Sequence, residues 1–268
     1  MTLLAHHQIE LLAGCLAGVE TVAISSTRSF PKHAHDQFGF GIMRDGGHVS
    51  WSECGQVEAG PGDVIAVSPN EIHDGAPIGD RRAWEMVFVA PETVERLVGR
   101  RAAKREIGFA AQRASHLRAE LEHALRYLRN GDADAAEQSL TALLSNALLN
   151  SNEIGDRRPS AVTARVLDRI HDEPDKPPSL DDVAKLMGMH RTGALRRFRR
   201  EVGATPHEYA MQLRVRIARR ALASGSTPVE VAYNLGFADQ SHLTRAFSRQ
   251  FGLPPGRYRS VEANIVQD

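Results

Sequence analysis

Cysteine is nearly missing from this chain: Cys15 and Cys54 are the two present. Two thiols at that spacing form neither a disulfide framework nor the paired-cysteine pattern of a structural zinc site. Long apolar runs are missing too, and no stretch approaches the ~18 residues of a membrane span. The start, Met1 to Glu10, carries two histidines and a glutamate and lacks the basic-then-apolar order of a secretory signal. These absences set aside the membrane, secreted and disulfide-stapled classes and lead us to expect a reduced, cytoplasmic setting. What remains is an ordinary globular composition, 42% hydrophobic and 25% charged over 268 residues, enough for about two domains.

Net charge is also absent, but the zero hides an asymmetry. From Ser160 onward there are 17 Lys and Arg against 12 Asp and Glu, and before it 16 against 21. Between Lys185 and Arg220 ten basic residues face only Glu201 and Glu208. Such a block suits a polyanion partner, although a solvated basic helix face would look the same.

Two periodicities divide the chain. From about Val19 to Pro91, short apolar runs such as Val64–Val67 and Trp84–Val89 alternate with turns at Asp45-Gly46-Gly47, Gly60-Pro61-Gly62-Asp63, Ser68-Pro69-Asn70 and Gly79-Asp80. Many short strands at that spacing predict a sandwich or barrel. Beyond Pro91 the period is helical: a short helix from Glu92 to about Gly99, one with Leu117, Leu121, Leu125 and Leu128 on a face, and one with Leu140, Leu143, Leu144, Ala147 and Leu148. The last two form a hairpin over 112–150, and its apolar stripe serves either packing on its own sheet or a contact between two copies. Ser151 to Ser160 is polar, without apolar period, and reads as a linker.

The C-terminal part repeats itself. Phe198, Gly203, Pro206 and Tyr209 recur 49 residues later as Phe247, Gly252, Pro255 and Tyr258. Upstream, Val183-Ala184 and Gly188 recur as Val231-Ala232 and Gly236. Each copy predicts a helix, a glycine turn and a second helix: Leu180–Met187 and Arg191–Val202, then Pro228–Leu235 and Gln240–Phe251, with caps at Ser179, Thr227 and Asp239. Helix, short turn, helix is the layout whose second helix enters the DNA major groove. A helix from Pro206 to about Ala223, roughly 27 Å long, joins the two copies and suits reading helices about one DNA turn apart.

The stretch Ser179–Leu222, with VAKLMGMHRTGALRRF, and the stretch Ser226–Arg259, with VAYNLGFADQSHLTRAFSRQFGLPPGRYR, resemble the AraC/XylS family of transcriptional regulators over about a hundred residues. The resemblance places DNA contacts on Arg191, Thr192, Leu195 and Arg196 of the first reading helix and on Gln240, Ser241, Thr244 and Arg245 of the second. Arginine suits guanine and glutamine suits adenine at the groove edge, while Arg197, Arg199, Arg200 and Arg249 would hold phosphates. Phe198, Phe247, Leu243 and Tyr258 read as core. The first copy departs from the pattern at Gly193-Ala194-Leu195, where the second has His242-Leu243-Thr244.

The N-terminal part, through His33-Ala34-His35 and Pro61-Gly62-Asp63 followed by Pro69 and His73, resembles a cupin barrel, as in the sensor domains of the same family. These histidines correspond to metal ligands of cupin enzymes. The glutamate that completes that set is missing here, with Gly39 and Phe40 near its place, so neither a metal nor any other cofactor is expected. His33, His35, His73, Trp84 and Met86 are instead the candidate effector-binding residues, with plain barrel core as the alternative for Trp84 and Met86.

The fold expected is a multidomain α+β chain. Residues 1–155 form a cupin-like β-barrel with the helical hairpin. Residues 160–268 form an all-α DNA-binding domain with helix-turn-helix units at 179–202 and 227–251 and a linking helix at 206–223. The expected function is a non-enzymatic, sequence-specific regulator of transcription controlled by a small-molecule effector. Double-stranded DNA, a second copy of the chain and, for an activator, RNA polymerase are its expected partners. A metal-dependent cupin enzyme fused to a DNA-binding module, and a regulator without an effector, are the alternatives.

Overall fold

Successive side chains of an extended strand point to opposite faces, and in the first half of this chain both faces are covered. The computed structural model describes residues 7–12, 15–52, 55–108, 110–149 and 159–259; Cys54 and most of the linker Ser151–Ser160 lie outside them. Eight strands are described: β1 (His7–Leu12), β2 (Val19–Ser26), β3 (Phe30–His33), β4 (Phe38–Ser52), β5 (Gly55–Ala59), β6 (Val64–Val67), β7 (His73–Val89) and β8 (Ala111–Gln112). They join in the antiparallel order β1-β2-β7-β4-β6-β8, with β3 on β7 and β5 on β4. The long strands β4 and β7 pair with each other through register shifts between Met43 and Asp45 and between Gly46 and Gly47. Such irregularities bend a sheet, and they let β7 pair β3 at its start and β2 at its end.

On one face of this cupin-like sheet Phe38, Phe40, Ile42, Val64, Ala66, Val87 and Val89 meet the helices α2 (Ser115–Asn130) and α3 (Ala133–Leu144) in one cluster with Leu117, Leu121, Leu125, Leu128, Leu140, Leu143 and Leu144. A short helix α1 (Pro91–Val98) precedes them. Gly131, at φ 75°, closes α2, and Asp132 caps α3 by accepting from the Ala135 amide. Burying each leucine contributes about 1.5–3 kcal/mol. The leucine stripe of the hairpin is therefore used by its own sheet, and a contact between copies would need another surface.

The opposite face of the sheet is built on a size rule. Gly39 pairs Phe88 and Gly41 pairs Met86 across β4 and β7. A Cβ on Gly41 would sit 2.1 Å from the Met86 sulfur, and one on Gly39 2.6 Å from a Val67 methyl and 2.9 Å from the Phe88 ring. A side chain at either position would require those neighbouring side chains to move.

The described residues divide into two units, 7–149 and 159–259. The second is helical: α4 (Ala161–Asp172), α5 (Leu180–Met187), α6 (Arg191–Val202), α7 (Pro206–Ala223), α8 (Pro228–Asn234) and α9 (Gln240–Phe251). Full capping boxes start α5, α7 and α8, at Ser179/Asp182, Thr205/Glu208 and Thr227/Glu230, and Asp239 caps α9. Helix α8 stops one residue short of Leu235. The sequence repeat is a packing repeat: Phe198 meets Tyr209 edge-on at 6.3 Å, and Phe247 meets Tyr258 at 5.6 Å.

Helix α7 holds the two copies together. Buried Arg214 donates to the Gly236 carbonyl at 3.1 Å and lies over the Phe237 ring. Gly236, at φ 65°, packs on the Asp175 backbone, whose oxygen would lie 2.7 Å from a Cβ there. Gly236→Ala should therefore lower unfolding stability in urea by about 1–3 kcal/mol. Gly256→Ala, where a Cβ meets nothing within 4 Å, should leave it unlowered, and equal behaviour of the two would refute the close contact.

Candidate functional site

Strand pairing assembles an imidazole cluster. His33 of β3 lies opposite His73 of β7, and His35 follows two residues on, as one face of an extended segment requires. The ring centroids stand 4.4 Å apart for His33 and His73, 5.0 Å for His33 and His35, and 5.2 Å for His35 and His73. One ring nitrogen from each comes within 4.8 Å of the others. Phe88 packs on His35 at 4.9 Å. His33 donates from Nδ1 to the Pro31 carbonyl at 2.7 Å, and His73 from Nδ1 to the Glu71 carbonyl at 3.0 Å. A carbonyl only accepts, so in both neutral rings Nε2 carries the lone pair. Burial, with His73 nearby, pushes His33 down to about 3, and burial also lowers His73.

Beside the cluster stands a buried cation that the sequence reading did not single out. Arg82 is 0% exposed. Its Nη1 donates to His48 Nδ1 at 2.6 Å, and its Nη2 donates to the carbonyls of Gly75 at 3.0 Å and Arg28 at 3.3 Å. The guanidinium lies 4.7 Å from the Trp84 ring centre and 5.7 Å from that of Phe30. Its Nε has no hydrogen-bond partner among the described residues, and the groups it bonds are a ring nitrogen and two carbonyls, with no carboxylate. Burial lowers Arg82 to about 10, which leaves it charged at neutral pH. Burial, with Arg82 adjacent, brings His48 down to about 3. The signal for Arg82 was parity, since it shares the inward period of β7 with Trp84 and Met86.

Trp84 and Met86 are buried, the first under Arg82 and Phe30, the second against Gly41. A cleft of about 250 Å³ opens instead at Ser29, Phe30, Pro31, Val49, Trp51 and Gly75. None of the five sequence candidates lines it, but Phe30 connects it to them, 6.1 Å from Trp84 and 6.3 Å from His33.

In the helical unit, α6 and α9 each bury one side and expose the other. Ala194 and Phe198, then Leu243 and Phe247, are fully buried. Arg191, Thr192 and Arg196 of α6 and Gln240, Ser241 and Arg245 of α9 are exposed, and Leu195 and Thr244 are half-buried. Thr244 donates its hydroxyl to the Gln240 carbonyl at 2.8 Å. Arg191 is bound by both carboxylate oxygens of Asp181 on α5. Arg197, expected at phosphate, binds Glu201 at 2.8 Å. Burial pushes Glu201 up, but bonds from Ser160, Thr163 and Arg197 outweigh it and bring the carboxyl down to about 2. A Cβ on Gly193 would meet only Met189, at an ordinary 3.9 Å, so packing does not demand that glycine. Among the described residues no helix is long and apolar enough to cross a membrane.

Residues 19–150 match the family model of an AraC-like ligand binding domain, and residues 183–260 match that of a helix-turn-helix domain. The chain is 25% identical to the uncharacterized HTH-type transcriptional regulator YbfI of Bacillus subtilis, over 81% of this chain and 82% of that protein. It is 25% identical to the HTH-type transcriptional activator RhaS of Yersinia pestis, over 95% and 98%. Among solved structures, ToxT from Vibrio cholerae superposes with a TM-score of 0.56 at 12% identity, covering 92% of this chain and 98% of that one. That last likeness shows the fold.

The depressed His48 sets a pH dependence. Unfolded histidine takes up its proton near pH 6.5, while folded His48 resists until about 3. Its contribution is complete above about 6.5 and is lost as pH falls through that window. His48→Gln keeps an acceptor for Arg82 and removes the titration. The fall in melting temperature between pH 7.5 and 4.5 should be shallower in this variant, and an unchanged slope would show that His48 is protonated in the fold.

Proposed function

Because the chain belongs to the AraC family of helix-turn-helix transcriptional regulators, we propose that it reads DNA with the outward faces of α6 and α9 and answers to a small molecule held in its β domain. One observation carries the first half. The two copies bury their matching aromatic residues and turn Arg191, Thr192, Arg196, Gln240, Ser241 and Arg245 to solvent. Leu195 and Thr244 complete the faces, with Leu195 suited to a thymine methyl. The Arg191–Asp181 pair is exposed at both ends, where water screens it, so DNA can displace it at low cost.

The second half rests on the cluster of His33, His35, His73, Trp84 and Met86, to which Arg82, His48 and Phe30 are now added, and on the cleft of about 250 Å³ that Phe30 lines beside it. A buried guanidinium without a carboxylate partner favours an anionic effector. ToxT has been solved with an unsaturated fatty acid and with a naphthalenyl-butenoic acid, and a carboxylate is the group Arg82 would stabilise here. We read this domain as a sensor and not as an enzyme, because Gly39 stands near the place where a metal-dependent cupin enzyme carries its carboxylate, and a side chain there would have to displace Val67 and Phe88. In the same proposal the protein works in the cytoplasm, as a homodimer, and contacts RNA polymerase if it activates.

Selection from random duplexes should return two half-sites about one helical turn apart. Arg245→Ala should weaken binding to the selected site by about 1–3 kcal/mol and affect random DNA far less. Equal loss on both would make Arg245 a phosphate contact only and remove the base-reading role.

A further inference from the structure

We infer that Asp181 is a specificity-determining positioning residue: it holds Arg191 by one edge of the guanidinium, so that the other edge reads guanine in one half-site. The inference rests on the DNA-reading role proposed above for α6. Asp181 sits in the first turn of α5 and Arg191 opens α6, so the pair spans the turn at Gly188. One carboxylate oxygen accepts from Nε and the other from Nη2. A guanidinium carries five N–H groups, and three of them, on Nη1 and Nη2, lie outside that pair.

Two parallel donors on the Nη1–Nη2 edge match O6 and N7 of guanine. The guanidinium can therefore keep Asp181 and take a base at the same time. A long side chain fixed beforehand also loses less freedom on binding. A phosphate has to draw Arg191 away from Asp181, whereas a guanine leaves the pair in place. Beside the carboxylate the local net charge is near zero, which weakens the pull toward phosphates and leaves the base contact as the gain.

The internal repeat supplies a second observation. Asp181 corresponds to Val229 in the second copy, and Arg191 corresponds to Gln240. Both partners change together: the cationic reading residue comes with a carboxylate, and the neutral one comes with an exposed valine. The Arg197–Glu201 pair of α6 is of another kind. Glu201 also accepts from the amide and hydroxyl of Ser160, and so anchors the start of α4. Asp181 and Arg191 are both exposed, and their pair stands beside Thr192 at the start of the reading helix.

The test uses the full chain and three kinds of duplex: the site selected by the parent protein, that site with each guanine replaced in turn by adenine, and a random sequence. Arg191→Ala should abolish the preference at one guanine. Asp181→Asn, which leaves the Ser179/Asp182 capping box intact, should lower the preference at that same guanine by at least ~threefold, while binding to the random duplex holds or tightens. In the double variant Asp181→Asn should add nothing to the loss. In the parent, the Arg191 Nε–H resonance should stay slow to exchange on the selected site, a readout that needs no substitution at Asp181 and decides the matter even where that variant folds poorly. Loss of that signal in the complex, an undiminished guanine preference in folded Asp181→Asn, or equal weakening on selected and random duplexes would overturn the inference and leave DNA reading by α6 in place. A parent that selects no site would remove the DNA-reading proposal itself, and this inference with it.

Discussion

Alternation along strand β7 is the constraint on which the β domain rests. Glu85, Val87 and Val89 point one way and Arg82, Trp84, Met86 and Phe88 the other, because consecutive residues of an extended chain cannot share a face. One set closes the leucine core with α2 and α3; the other packs against Phe30, His35 and His48. A shift of one residue would exchange the two interiors and place Arg82 among leucines. The glycines of β4 opposite Met86 and Phe88 leave those side chains room in this register.

The same alternation joins the histidine side of the sheet to the helices. Glu85, between Trp84 and Met86, receives Arg44 at 2.6 Å and Arg129 of α2 at 2.8 Å. A small molecule can control a protein only by favouring one arrangement over another, and under the proposed function β7 is the strand that links the residues assigned to the effector with α2.

The helical unit rests on a different device. Its two copies are tied by α7: Tyr209 on that helix meets Phe198 of the first copy, and two buried arginines reach the second, Arg214 at the Gly236 carbonyl and Arg219 at the Tyr258 hydroxyl. Buried cations are costly to leave unpaired, and these two anchors restrain the second copy relative to the helix. A rigid connection suits a domain that has to present two reading helices to one duplex.

Much of this was legible residue by residue. The caps at Ser179, Thr227 and Asp239, the stop at Gly131, the leucine stripes and the repeated Phe and Tyr are local or periodic signals, and local signals survive in a linear string. Leu235 was placed one residue inside a helix it ends, a boundary error of the usual kind. What the string does not carry is which distant residues meet. The pairing of His33 with His73, the seat of Arg82 between His48 and Trp84, the Asp181–Arg191 pair and the crowding around Gly39 all depend on contacts across many residues. Residue type and period determined the elements and the outward faces of α6 and α9, and the motif from Val231 to Arg259 pointed to the family. Strand register and packing alone decided the chemistry around the histidines, because hydrogen-bond partners and excluded volume exist only once the chain has closed on itself.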